Sequence, residues 1–248
     1  MFSLFKKKKT TTDWRGGLGV LHTDMHSHLL PGIDDGAPDV TTSIHLIKGL
    51  MELGYKKLIT TPHIYPDLYP NNRNTILNAY AVLKDQLKQE EIDIDIHPAA
   101  EYFIDEMFAA RLQKGEELLC LKGNMVLIEI SFVSPPRELN HVIFDMVTGG
   151  YQPIIAHPER YAYYNYNKDT YEQFKHQGCL LQVNMLSLIG YYGKSAQDTA
   201  LYLAKNGLID FVGTDLHHGR HLDELQSPEM VDEIQNLLKN CNLLNSTL

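Results

Sequence analysis

Cysteine is scarce in this chain: Cys120, Cys179 and Cys241 are the only three in 248 residues, odd in number and far apart. That spacing forms neither a zinc-ligand pattern nor a disulfide framework. It fits a reducing compartment, so the cytoplasm is the expected location. Long apolar runs are missing too. Nothing approaches the ~20 residues that span a bilayer, and no apolar core follows the lysine run at 6–9 to make a signal peptide. Basic charge is in deficit, with Lys+Arg 22 against Asp+Glu 31 and a net charge of −9. Phosphate backbones are held by clustered Lys and Arg, so nucleic acid is excluded as the main partner. A small anionic substrate held through bound cations is not. No Gly-x-Gly-x-x-Gly follows the first expected strand, which removes the main argument for a doubly wound dinucleotide fold.

What is present is a strand followed by a helix, repeated. Strand-like runs fall at 19–25, 57–61, 92–99, 125–130, 153–156, 180–184 and 209–213. Apolar residues at helical spacing mark helices over 39–53, 75–90, 105–114, 138–148, 168–176, 195–205 and 230–239. Seven such units without a linker predict a single α/β domain over residues 19–248, a closed or nearly closed barrel. A flexible, lysine-containing tail is expected over 1–18.

The first strand ends in His26-Ser27-His28, and residues two apart on a strand face the same way. A Pro31-Gly32 turn then leads to Asp34 and Asp35, either of which can return a carboxylate to the pair. Parallel β/α folds gather their chemistry at the C-terminal ends of strands. Here those ends carry His63, Glu101, Glu129, His157, and Asp215 with His217, so six of seven expected strands deliver a ligand-type side chain to one rim. Glu101 or Asp215 alone would read as a helix-start carboxylate. Together His26, His28, Asp35, His63, Glu101, His157, Asp215 and His217 are too many for one ion and suit two or three. Imidazole and carboxylate without thiolate point to Mn, Fe or Zn rather than Mg. His45, His97, His141 and His176 read as ordinary helix or strand residues, whereas His22, His218 and His221 stay open.

In this order the motifs His26-Ser27-His28, Thr61-Pro62-His63, Ala100-Glu101, Ala156-His157-Pro158-Glu159-Arg160 and Asp215-Leu216-His217 resemble those of the polymerase-and-histidinol-phosphatase superfamily. Within it, Leu30-Pro31-Gly32-Ile33-Asp34-Asp35-Gly36, Leu127-Ile128-Glu129 and the run to Tyr161 are similar to the manganese-dependent tyrosine phosphatases of capsule and exopolysaccharide gene clusters, the CpsB/YwqE-type family. The resemblance implies a distorted seven-stranded barrel holding three divalent ions, manganese first. It implies that His26, His28, Glu101 and Asp215 hold one ion, that Glu101 bridges to a second bound by His157, and that Asp35, His63 and His217 hold the third. Asp35 is taken over Asp34 because its distance from His28 matches the family's ligand. Arg160 matches an arginine that binds substrate phosphate, and Arg220 is the nearest counterpart of a second one, in a shorter loop.

The implied substrate is phosphotyrosine in a protein, a bacterial tyrosine kinase governing polysaccharide export. Divalent ions lower the pKa of water to about 7 in favourable cases, which supplies a nucleophile at neutral pH. The thiolate route to the same reaction needs an arginine six residues after a cysteine. Val126, Met185 and Thr247 stand there, so that route is absent. A small-molecule phosphomonoesterase of the histidinol-phosphatase kind and a non-catalytic metal-binding module are the alternative readings. The cluster Tyr161, Tyr163, Tyr164 and Tyr166 either lines a cleft for the phosphotyrosine ring or packs a loop.

Overall fold

Apolar runs such as 125–130 bury both faces of a strand, and a parallel sheet covered by helices is the arrangement that does so. The computed structural model describes residues 15–239 and 241–248; most of the expected tail, lysine run included, lies outside the described residues. Among the described residues nine strands form: β1 Thr23–Asp24, β2 Lys57–Thr60, β3 His63–Ile64, β4 Asp95–Pro98, β5 Glu101–Phe103, β6 Met125–Glu129, β7 Gln152–Ala156, β8 Leu180–Asn184 and β9 Phe211–Gly213. They lie in two parallel sheets, β1-β2-β4 and β3-β5-β6-β7-β8-β9.

This differs from the seven strands expected, and the reason is local. Two runs each split: one at Thr61-Pro62, where proline has no N–H to give a ladder, and one at Ala99-Ala100. Hydrogen bonds still run beside the breaks, from Ala99 N to Thr60 O (2.8 Å) and from Glu101 N to Pro62 O (3.1 Å). Between β1 and β9, Ser27 bridges Leu216 in parallel, with His28 N donating to Leu216 O at 3.0 Å.

The expected strand over 19–25 forms only at Thr23–Asp24. Gly19–Leu21 is instead a single 3-10 turn. Its neighbours close the end of the first helix, α1 (Val40–Glu52), since Gly16 N donates to Glu52 O and Leu18 N to Leu53 O. Carbonyls at a helix end need such partners, and satisfying them outweighs extending the strand.

The other expected helices form close to their predicted limits: α2 Arg73–Gln89, α3 Glu106–Gln113, α4 Leu139–Thr148, α5 Asp169–His176, α7 Lys194–Lys205 and α9 Pro228–Leu238. Asp39, Asn72 and Asp105 cap α1, α2 and α3 by accepting backbone N–H groups of the first turn. Two short helices were not expected, α6 Met185–Leu188 and α8 Gly219–Leu225. Helices of four and seven residues carry too little periodicity to be read.

Strand alternation divides the interior. Val126 and Ile128 of β6, Ile155 of β7, and Leu181 and Val183 of β8 face the helices in one large core. Leu127, Ile154, Ala156 and Phe211 face inward with Met25, Ile59 and Ala99 in a second, smaller core that Leu248 closes from below. The same inward rows continue upward into polar residues, and there the site lies.

Beneath the site Asp24 ties β1 to the segment after β9. It is fully buried, and its carboxylate accepts from Thr214 N at 3.0 Å and Thr214 Oγ1 at 2.7 Å. Burial pushes its pKa from 3.8 up to about 6, against the opposing effect of the Thr214 bonds. Between pH 4 and 6 the folded state therefore holds a proton that the unfolded chain has released, so stability falls as pH rises through that window. Keeping the group ionised at neutral pH costs on the order of 3 kcal/mol. Asp24→Asn can keep both Thr214 bonds without the charge. The variant is expected to raise the melting temperature at pH 7.5 and to flatten the slope between pH 4 and 6 in thermal melts across pH.

Candidate metal centre

Each strand end lifts its side chain to one place for a backbone reason. His63 and Glu101 open β3 and β5 just past the two breaks, directly opposite each other in register. Glu129 ends β6, two residues above the inward Leu127. His157 follows β7 and Asp215 follows β9, and both adopt left-handed backbone, at φ 33° and 50°. Non-glycine residues rarely do so, and strain of this kind of order 1–3 kcal/mol is held where the surroundings over-determine it. Gly36 lets the Asp34–Asp35 loop fold onto the first strand, because a Cβ there would sit 2.2 Å from His28 O.

All eight sequence-predicted ligands meet. His28, Asp35, His63 and His217 form one compact group, and His26, His28 and Glu101 another. His26, His157 and Asp215 form a third, and His63, Glu101 and Glu129 a fourth. His26 Nε2 lies 3.2 Å from Glu101 Oε2 and 3.3 Å from Asp215 Oδ1. His157 Nε2 lies 3.1 Å from Glu101 Oε1. Asp35 Oδ1 is 3.6 Å from Nε2 of both His63 and His217.

Hydrogen bonds on the far side of the rings give the tautomers. His26 Nδ1 faces Gln182 Oε1 at 2.8 Å, His28 Nδ1 faces Asp34 Oδ2 at 2.9 Å, and His217 Nδ1 faces Asp215 O at 2.8 Å. Those partners only accept, so each Nδ1 carries a proton, and in the neutral ring each Nε2 turns a lone pair to the cluster. His26 Nε2 and His28 Nε2 stand 3.3 Å apart, with two carboxylates beside them. His63 Nδ1 is buried without a hydrogen-bond partner, 3.2 Å from Glu101 Oε2. Acceptors that converge on acceptors in a buried site fit a cation, and far-side carbonyl or carboxylate partners are how metal-binding histidines are commonly oriented.

The same crowding sets the charges. Burial works against ionising Glu101 and Asp215, yet His26 with His63 holds the first well below the usual carboxylate range, and His26 with His217 the second. Glu129 goes the other way, pushed well up by burial and by the charges of Glu101 and Asp215. Burial lowers His157, only partly offset by its bond to Glu101. Burial likewise works against His26, but Glu101 and Asp215 outweigh it and hold that ring above its ordinary range.

Above the cluster lies a cavity of ≈440 Å³. Arg160 lines it, its guanidinium 3.2 Å from Asp215 Oδ2 and held between two rings, 4.9 Å from the Phe132 centroid and 4.2 Å from that of Tyr192. Arg220 stands exposed at the start of α8, outside the lining, where His218 and His221 are found instead. The tyrosine cluster packs the neighbouring loop: Ile130 N donates to the Tyr161 hydroxyl, and Tyr163 Oη donates to Ser131 O. Tyr166 is exposed, so none of the four lines the cavity.

Asp34 and Asp35 divide the work. Asp34 is spent on His28 Nδ1, His63 N and Gly36 N, whereas Asp35 turns to the open side of the cluster. Glu129 joins the centre, although the sequence-predicted ligand set omits it. Gln182 and Asn184 of β8 were not singled out at all. Gln182 Nε2 donates to Asn184 Oδ1, and Asn184 Nδ2 donates to Asp215 Oδ2 at 2.6 Å. Strand parity was the available signal: Leu-Leu-Gln-Val-Asn places two amides on the inward row of an apolar strand.

Known proteins resemble this chain in sequence and in fold. Residues 22–243 match the family described as "Capsular polysaccharide synthesis, CpsB/CapC". The tyrosine-protein phosphatase YwqE of Bacillus subtilis (strain 168) is 32% identical over 195 residues, covering 79% of this chain and 77% of that protein. The tyrosine-protein phosphatase CpsB of Streptococcus pneumoniae is 24% identical over 200 residues, covering 79% and 82%. A solved structure described under YwqE from Bacillus subtilis and CpsB from Streptococcus pneumoniae, metal-dependent tyrosine phosphatases, aligns with a TM-score of 0.75 at 30% identity. It covers 89% of this chain and 96% of that one. The chain belongs to the CpsB/CapC family.

Proposed function

We propose that this chain is a metal-dependent tyrosine-protein phosphatase that acts on a phosphotyrosine-bearing bacterial kinase of capsule or exopolysaccharide synthesis. The observation that carries the reading is the convergence of His26 Nε2 and His28 Nε2 on Glu101 and Asp215 at 3.2–3.5 Å. We assign three divalent ions, manganese foremost. His26, His28, Glu101 and Asp215 would hold one; Glu101 would reach a second with His157, and Glu129 adds a carboxylate beside it. Asp35, His63 and His217 would hold the third. The scaffold reads as a distorted seven-stranded barrel, with β2–β3 and β4–β5 each counted as one interrupted strand and the Ser27–Leu216 bridge as its seam. The expected location is the cytoplasm; among the described residues no helix is long and apolar enough to cross a membrane.

When bound, divalent ions lower the pKa of water toward neutrality and offset charge on phosphoryl oxygens. The chain's own residues do the rest. Arg160 presents a fork of N–H donors to two phosphoryl oxygens, and the rings of Phe132 and Tyr192 keep that fork flat against the cavity wall. Asp215 holds the guanidinium until substrate takes over part of its bonding, while Asn184 keeps Asp215 in place. Phe132, stacked on His157 with centroids 5.6 Å apart, supplies an apolar wall for an aryl group. A phenol, with pKa near ~10, leaves without the strong acid that an alkyl alcohol requires.

Two outcomes are expected. His157→Ala should lose bound metal by mass spectrometry and drop kcat on phosphotyrosyl peptide by about 100-fold or more. A variant with full metal and full activity would overturn the site. Arg160→Lys keeps the charge but not the fork, and should raise KM about tenfold with metal content unchanged. Preference for histidinol phosphate over phosphotyrosyl peptide in the same assay would favour the small-molecule reading.

A further inference from the structure

Glu159 stands between His157 and Arg160 in the 3-10 turn Pro158–Arg160 and is 1% exposed. Its Oε1 accepts two bonds from the junction of β8 and α6, from Asn184 N at 3.0 Å and from Ser187 Oγ at 2.6 Å. Its Oε2 is buried without a hydrogen-bond partner among the described residues, so the hold rests on Oε1. Burying a carboxylate is costly unless such bonds meet it.

The same junction carries a second tie that leads back. Asn184, whose backbone N–H goes to Glu159, sends its side-chain N–H to Asp215 Oδ2 at 2.6 Å, and that oxygen also accepts from Arg160 at 3.2 Å. Arg160 directly follows Glu159, so the path closes into a ring: Glu159, Asn184, Asp215, Arg160. Arg160 N tightens the turn by donating to His157 O at 2.9 Å. The ring holds the guanidinium from both ends. Glu159 sets where the side chain starts, and Asp215 sets where its head stands. A long side chain loses rotamer freedom when it is fixed. Arg160 also borders a second cavity, of ≈270 Å³, lined by Glu159, Asn165 and Ser195 among others, which leaves it room to turn away from the metal cluster.

We infer, on the phosphatase reading above, that Glu159 is a positioning residue for the reaction. Its carboxylate, tied to Asn184 N and Ser187 Oγ, fixes the place from which Arg160 reaches the phosphoryl group, and it acts only through Arg160.

Glu159→Ala cuts the ring. It should raise KM for phosphotyrosyl peptide, and the dissociation constant of inorganic phosphate on the manganese-loaded protein, each about tenfold. Metal stoichiometry should stay at the wild-type value, with kcat moving less than KM. Glu159→Gln keeps an oxygen for both donors and should stay within about twofold of wild type. Over Arg160→Lys, Glu159→Ala should add less than about twofold, because the group it places is gone, whereas independent residues would multiply. Multiplied losses in the double variant, a loss in Glu159→Gln as large as in Glu159→Ala, or metal lost in step with phosphate affinity would each overturn the inference. If Glu159→Ala does not fold, Ser187→Ala removes one of the two donors and reads the same coupling. It should weaken phosphate binding in the wild-type background and not over Arg160→Lys; equal losses in both would overturn the inference. Calorimetry with inorganic phosphate reads Arg160 whether or not phosphotyrosyl peptide is turned over, so this inference and the phosphatase reading fail separately.

Discussion

Glu101 meets four histidines on two oxygens. His26, His28 and His63 approach Oε2 at 3.2, 3.4 and 3.2 Å, and His157 approaches Oε1 at 3.1 Å. The four rings come from three separate segments of the chain, and Glu101 itself has no exposed surface. A carboxylate in such a place is costly unless surrounded by positive charge or donors. Burial of Glu101 therefore obliges the β1, β3, β5 and β7 ends to arrive together, and an error at any one leaves a buried charge unmet. The break at Ala99-Ala100 matters for this reason, since Glu101 opens the strand that follows it.

Around that carboxylate the surroundings consist of groups that fix orientation. Gln182 accepts from His26 Nδ1 and from His157 N, and passes the polarity on through Asn184 to Asp215. Asp34 does the same for His28 and for the backbone of His63. The consequence is a set of ring nitrogens that point into the cluster. An amide pair on β8 is well suited to this work. It offers both a donor and an acceptor yet adds no charge to a cluster already holding Asp34, Asp35, Glu101, Glu129 and Asp215.

The cavity wall divides its functions differently. Among the described residues Arg160 supplies the one guanidinium in the lining, and the rings of Phe132 and Tyr192 hold that planar group in place. The lining also carries imidazoles, among them His217, His218 and His221. Such a site, able to gain positive charge from bound ions, suits a dianionic phosphoryl group within a protein of net charge −9. The acidity of the whole chain and the anionic character of the substrate are thus compatible.

Much was legible without coordinates. His-x-His at a strand end, His63 after Pro62, and Asp215 two residues before His217 are short patterns whose meaning depends on lying at strand ends, and strand ends follow from apolar runs. The seven-unit rhythm and most helix limits are local properties of the same kind, governed by periodicity and caps. What lies beyond one strand's length was not legible. The splits at Thr61-Pro62 and Ala99-Ala100 follow from pairing between strands, and the turn at Gly19–Leu21 forms because α1 needs its last carbonyls met. Whether Asp34 or Asp35 faces the cluster, whether Arg220 or His221 faces the cavity, and which atom of each histidine holds its proton all depend on groups far apart in sequence. The sequence by itself determined which ligand types reach one rim, because alternation and apolar runs act over a few residues. Only the tertiary structure decided how they share protons and charge, because that depends on distances of about 3 Å between segments as many as 190 residues apart.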